Sequence, residues 1–220
     1  MPDIKLICFD LDGTLVDSVP DLTLAINTML SDLNLSHCQK DDVKNWVGDG
    51  IAKMVERAII FSSKSRPEQD QLEKAVSIFE AHYQTFLNCE SGLYPKVAET
   101  IKALSEKGYK IALVTNKAER FLPDLLTLYG INAYFDLLLG GDTLAKNKPD
   151  PMMVDYACNH FNIPKAHTVM IGDSRNDILA GQNAGVTCIA LSYGYNYGNP
   201  VSELNPDYIL DHFDQLLNLL

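Results

Sequence analysis

The chain has 220 residues, 46% hydrophobic and 21% charged: globular composition, with length for a main domain plus a small accessory one. Its 29 acidic against 18 basic residues leave a net charge of −11, opposite in sign to the footprint of a nucleic-acid binder. No apolar run approaches the roughly 18 residues that span a bilayer, and no leader pattern opens the chain, so the expectation is a cytoplasmic protein with no nucleic-acid or membrane partner. Residues 4–9, Ile-Lys-Leu-Ile-Cys-Phe, read as a buried strand ending at Asp10. From Leu22 to Leu33 the apolar residues recur at helical spacing, and a second such stripe runs from Leu72 to Leu87. Between them the turn Gly48-Asp49-Gly50 precedes a helix expected over about residues 51–61, and no strand pattern intervenes. Residues 18–88 therefore read as an all-helical insertion, with hinges at residues 16–18 and 89–92.

Beyond the insertion, Val97, Ile101 and Leu104 predict a helix over residues 97–107, with Pro95 in its first turn and Gly108 as its stop. Short apolar runs at residues 111–115, 137–139, 169–171, 186–191 and 208–210 read as strands, mostly with helical patterns between them. Strands alternating with helices of ten or more residues imply βαβ units and a parallel sheet. The five cysteines are scattered with no Cys-x-x-Cys pair, as expected of reduced thiols. His37, His82, His160, His167 and His212 fall in no metal-ligand spacing.

Four strand ends carry polar groups. Asp10-Leu11-Asp12-Gly13-Thr14 follows the first strand, where a turn at Gly13 can bring both acids onto one point. Such acids can act as nucleophile, hard-cation ligand or proton carrier, but an ordinary Asp-Gly turn uses the same residues. Gly172-Asp173-Ser174-Arg175-Asn176-Asp177 offers metal-binding acids or a helix cap. Lys148-Pro149-Asp150-Pro151 holds a lysine in a stiffened segment, either neutralising an anion or merely solvated. Thr115-Asn116 offers a hydroxyl and a backbone N–H to an anion, or a cap. Four bland readings holding at once is improbable, and the combined set suits phosphoryl transfer, where catalysis is mostly positioning and charge neutralisation.

In this order the four segments resemble the motifs of the haloacid dehalogenase superfamily of phosphohydrolases, and the resemblance spans the chain. Within it, Trp46-Val-Gly-Asp-Gly-Ile, Glu56-Arg57-Ala58 and Ser192-Tyr-Gly-Tyr-Asn-Tyr-Gly resemble stretches of phosphoglycolate phosphatases. The resemblance implies a Rossmann-like parallel sheet with helices on both faces, formed by residues 1–16 and 90–220. A small helical cap, residues 17–89, would be inserted after the first strand. It also implies a nucleophile, Asp10, and an acid/base, Asp12, whose presence argues against a true dehalogenase. Mg²⁺ would be held by Asp10, the Asp12 carbonyl and Asp173, with Asp177 in support. Thr115 and Asn116 would hold phosphoryl oxygens, and Lys148 would orient Asp10.

The implied partner is a small phosphorylated metabolite, foremost 2-phosphoglycolate. Other sugar phosphates, nucleotides or a phosphomutase reaction are the alternatives, and the assembly is expected to be a monomer or weak homodimer. Substrate contacts in the cap would come from Gly48, Gly50 and the helix N-terminus behind them. Asp49 would oppose an anion there unless it points away, and Arg57 either faces the site or solvent. The tyrosine-rich loop at residues 193–197 is expected to rim the site.

Overall fold

Four consecutive apolar residues wholly shut off from solvent make β1 (Leu6–Phe9), the strand that carries the site. In the computed structural model, which describes residues 3–220, β1 lies inside a six-stranded sheet. β4 (Lys110–Val114) flanks it on one side and β6 (Thr168–Gly172) on the other. With β5 (Leu137–Leu139), β7 (Thr187–Leu191) and β8 (Tyr208–Leu210), the order is β5-β4-β1-β6-β7-β8 and every pairing is parallel.

A strand's side chains alternate between faces, and both faces are covered. Ile7, Phe9, Ile111, Leu113, Val169 and Ile171 share one core with α5 (Val97–Glu106), α6 (Leu122–Leu128) and α9 (Leu216–Leu219). Leu6, Cys8, Ala112, Val114 and Met170 share another with α7 (Met152–Phe161) and α8 (Arg175–Ala184). The sheet is thus an α/β layer with helices on both sides, as its alternating pattern predicts.

Two short strands, β2 (Val16–Asp17) and β3 (Gly92–Leu93), stand apart from this sheet. Between them the chain forms α1 (Val19–Asp32), α2 (Lys40–Lys44), α3 (Ile51–Ser63) and α4 (Gln69–Phe86). The two apolar stripes account for this packing. Leu22, Ile26, Met29 and Leu30 of α1 are buried with Ala75, Phe79 and Tyr83 of α4.

The two crossings into and out of the insertion are tied to each other. Val16 and Asp17 pair antiparallel with Leu93 and Gly92. Buried Asp21 accepts from the N–H groups of Glu90 and Ser91 at 2.7 and 3.2 Å. A four-residue ribbon carries no periodicity of its own, which is why single-segment reading missed it. Pro95 lies ahead of α5 rather than in its first turn, because Lys96, at φ 68°, is the residue that enters the helix. The third helix runs on to Ser63, past the expected stop at Phe61. Among the described residues no helix is long and apolar enough to cross a membrane.

Candidate active site

Asp10 follows β1, Thr115 follows β4 and Asp173 follows β6, so three adjacent parallel strands deliver polar groups to one edge of the sheet. Ligands collect at this edge in open α/β sheets. Lys148, between β5 and α7, completes the group. Its buried ammonium donates to Asp10 Oδ1 at 2.7 Å and to Asp177 Oδ1 at 2.6 Å. Asp10 Oδ2 has no donor among the described residues, and Asp10 lines the cavity roofed by the helical insertion.

Oxygen atoms of Asp10, Asp173 and Asp177, all buried, lie within 4.8 Å of one another. Asp173 is fixed by the Thr14 hydroxyl at 2.6 Å and by the backbone N–H of Tyr195. Asp177 Oδ2 accepts from the Ser174 N–H and hydroxyl at 3.0 and 2.7 Å, so capping of α8 and membership of the acid cluster coexist in one side chain. The chain closes this tightly only with glycine at position 13. Gly13 has φ 91°, and a Cβ there would overlap the Asp173 carboxylate.

Electrostatics follow from the crowding. Burial, then the neighbouring Asp177, pushes Asp10 up to about 7 against the pull of Lys148. Burial, then Asp177 and Asp10, raises Asp173 well above the carboxylate range. Burial works against the Lys148 ammonium, but Asp10 and Asp177 outweigh it and hold its pKa above the ordinary lysine value. Three buried acids against one ammonium leave excess negative charge. An all-oxygen donor set of this kind fits a hard divalent cation.

Not every expected ligand group is free. The Asn116 amide donates to the Lys148 carbonyl at 2.9 Å and the Gly48 carbonyl at 2.8 Å. Its oxygen accepts from the Lys148 N–H at 2.9 Å. Asn116 therefore clamps the backbone of Lys148 from both sides and ties it to the insertion; only its backbone N–H remains to meet an anion. Thr115 lines the cavity, with its hydroxyl accepting from the Lys117 N–H at 3.3 Å.

The turn of the insertion is docked on the sheet edge. Gly48, at φ 117°, offers its carbonyl to Asn116 and, at 3.0 Å, to Asn176, while Gly50 caps α3; both glycines line the cavity. Asp49 does not line the cavity. It accepts from Asn176 and Tyr197 at 2.9 Å each and pairs with Arg57, and these donors hold its carboxyl low despite burial. Arg57 donates also to the Trp46 carbonyl at 2.9 Å and does not line the cavity. Of the tyrosine-rich loop, Tyr195 lines the cavity and Tyr193 donates to the Thr14 carbonyl at 2.7 Å.

Lys117 was missed in the sequence. Its ammonium sits 3.1 and 3.2 Å from the two oxygens of Asp12 and 4.6 Å from the centre of the Tyr83 ring of α4, with its side chain 4% exposed. Burial opposes its charge, but Asp12 and Tyr83 outweigh that and raise its pKa further above the ordinary value. The only local signal was a lysine directly after the polar pair that ends β4. Asn176 is likewise buried and cavity-lining, and nothing in its local pattern marks it for a role.

A family model of haloacid dehalogenase-like hydrolases matches residues 7–191. A phosphoglycolate phosphatase of Colwellia psychrerythraea is 44% identical over 215 residues, covering 97% of this chain and 95% of its own. One from Haemophilus influenzae is 41% identical over 219 residues, covering 98% of each. The crystal structure of a predicted phosphoglycolate phosphatase from Haemophilus somnus superposes with a TM-score of 0.96 at 39% identity, covering 100% of this chain and 99% of its own.

Proposed function

Because the chain belongs to the haloacid dehalogenase-like hydrolase family, we propose that it is an Mg²⁺-dependent phosphatase of small phosphomonoesters, foremost 2-phosphoglycolate. The supporting observation is Asp10: buried, lining the cavity, anchored to Lys148 through one oxygen and with no protein donor on the other among the described residues. The phosphoglycolate phosphatases at 41–44% identity support the substrate class.

Asp10, Asp173 and the backbone carbonyl of Asp12 would hold the cation, with Asp177 supporting Lys148 and the helix cap. Bound there, the cation supplies the positive charge that lets a carboxylate and a phosphate dianion approach each other. Asp10 attacks phosphorus as the ester P–O bond breaks, giving an aspartyl-phosphate. Asp12, on the leaving-group side beside Lys117, gives its proton to the departing alkoxide. It then takes a proton from a water whose oxygen attacks the same phosphorus, releasing phosphate and restoring Asp10. Thr115 and the Asn116 N–H bind phosphoryl oxygens, and Lys148 keeps Asp10 aimed. The helical insertion, residues 17–89, acts as a cap that excludes water from the reacting atoms.

The test is phosphate release from a panel of small esters with and without Mg²⁺, alongside Asp10→Asn. We expect Mg²⁺-dependent release, fastest from 2-phosphoglycolate, and none above background in the variant. Full activity of Asp10→Asn would refute the nucleophile. Isomerised sugar phosphate without free phosphate would show a mutase instead.

A further inference from the structure

The cavity walls present Asp10, Asp12 and Asp177, so a substrate bearing a carboxylate beyond its phosphate meets strong repulsion unless a cation receives that second anion. Lys148 is committed to Asp10 and Asp177. Arg57 is committed to Asp49 and Trp46, outside the cavity lining. Among the described lining residues the other cation is Lys117, which answers one carboxylate, Asp12, where Lys148 answers two. Resting on the phosphatase reading above, we propose that Lys117 receives the carboxylate of the substrate's leaving group and thereby sets its specificity.

The reach is right. Asp12 must lie within hydrogen-bond distance of the ester oxygen, about 2.7 Å. Lys117 Nζ stands 3.1 and 3.2 Å from the two Asp12 oxygens, so it is near whichever of them meets the ester. In a two-carbon phosphorylated acid the carboxyl carbon is two bonds of about 1.5 Å from that oxygen, so a carboxylate arriving with it comes within contact of the ammonium. The setting also favours an anion over a neutral group. The Tyr83 ring covers the ammonium and removes it from water, where a charge-assisted hydrogen bond gains strength. Leu22, Val47, Ile51 and Met54 give the rest of the roof no polar side chain. The N-terminal turn of α3, capped at Gly50, adds positive potential on the insertion side.

The experiment compares 2-phosphoglycolate with ethyl phosphate, which has a methyl group in place of the carboxylate, in wild type, Lys117→Met and Lys117→Arg with Mg²⁺. Loss of the Asp12 contact slows both esters alike, so the ratio of their kcat/KM values isolates carboxylate recognition. We expect wild type to prefer 2-phosphoglycolate, Lys117→Met to lose about 10- to 100-fold of that preference, and Lys117→Arg to restore part of it. An equal loss for both esters in Lys117→Met, with the wild-type preference intact, overturns the role of Lys117 and leaves the phosphatase reading standing. Absence of turnover of either ester by wild type overturns the phosphatase reading instead. Should Lys117→Met fail to fold, calorimetric binding of the two esters to Asp10→Asn and to Asp10→Asn/Lys117→Gln gives the same comparison. A carboxylate preference unchanged by Lys117→Gln overturns the proposal.

Discussion

Replacing Lys148 by methionine keeps the aliphatic stem and removes one ammonium, leaving two buried carboxylates face to face. The lysine side chain is 2% exposed and those of Asp10 and Asp177 are 10% and 1%. Breaking a buried pair costs about 3–5 kcal/mol, because the abandoned charge stays out of water. For a chain of this size that is a fall in Tm of about 6–20 °C. The cost depends on pH. Asp10 already sits at about 7 in the folded protein against an ordinary 3.8, and losing Lys148 raises it further. The folded variant therefore binds more protons than the unfolded chain above about pH 4, and its stability falls as pH rises. Urea denaturation of metal-free wild type and Lys148→Met near pH 5 and near pH 8 measures this, with equal m values required for the comparison. We expect the full penalty near pH 8 and a smaller one near pH 5. A penalty equal at both pH values, or under about 1 kcal/mol near pH 8, would refute a charge-based role for Lys148.

The same linkage makes Mg²⁺ raise Tm more near pH 8 than near pH 5, since at low pH the cation competes with protons on Asp10 and Asp173; thermal scans with and without the ion check this. Asn116→Ala removes three hydrogen bonds that hold Lys148 and Gly48, and steady-state kinetics should show kcat/KM down about 10- to 100-fold for every ester tested. Arg57→Met loosens Asp49 from the insertion side only. As a partly exposed pair it should raise KM by about fivefold or less, equally for 2-phosphoglycolate and ethyl phosphate.

Local pattern carried most of the fold. The apolar runs that became β1, β4, β6 and β7 and the stripes of α1 and α4 are periodic within a few residues, and hydrophobic burial acts on that periodicity wherever the segment lies. The polar residues closing those strands were legible for the same reason: a parallel strand that ends at Asp10 or Asp173 delivers that side chain to the sheet edge whatever the loops do. What the amino-acid order could not show is which side chains answer one another across the chain. Lys148 meets Asp10 from 138 residues away, Asp173 meets Thr14 from 159, and Lys117 meets Asp12 from 105. The diversion of Asn116 to the Lys148 backbone, the retention of Arg57 by Asp49 and the pairing of β2 with β3 are likewise settled only when distant segments pack. A polar side chain's partner is chosen by whatever donors and acceptors are buried beside it, and that neighbourhood exists only in the folded molecule.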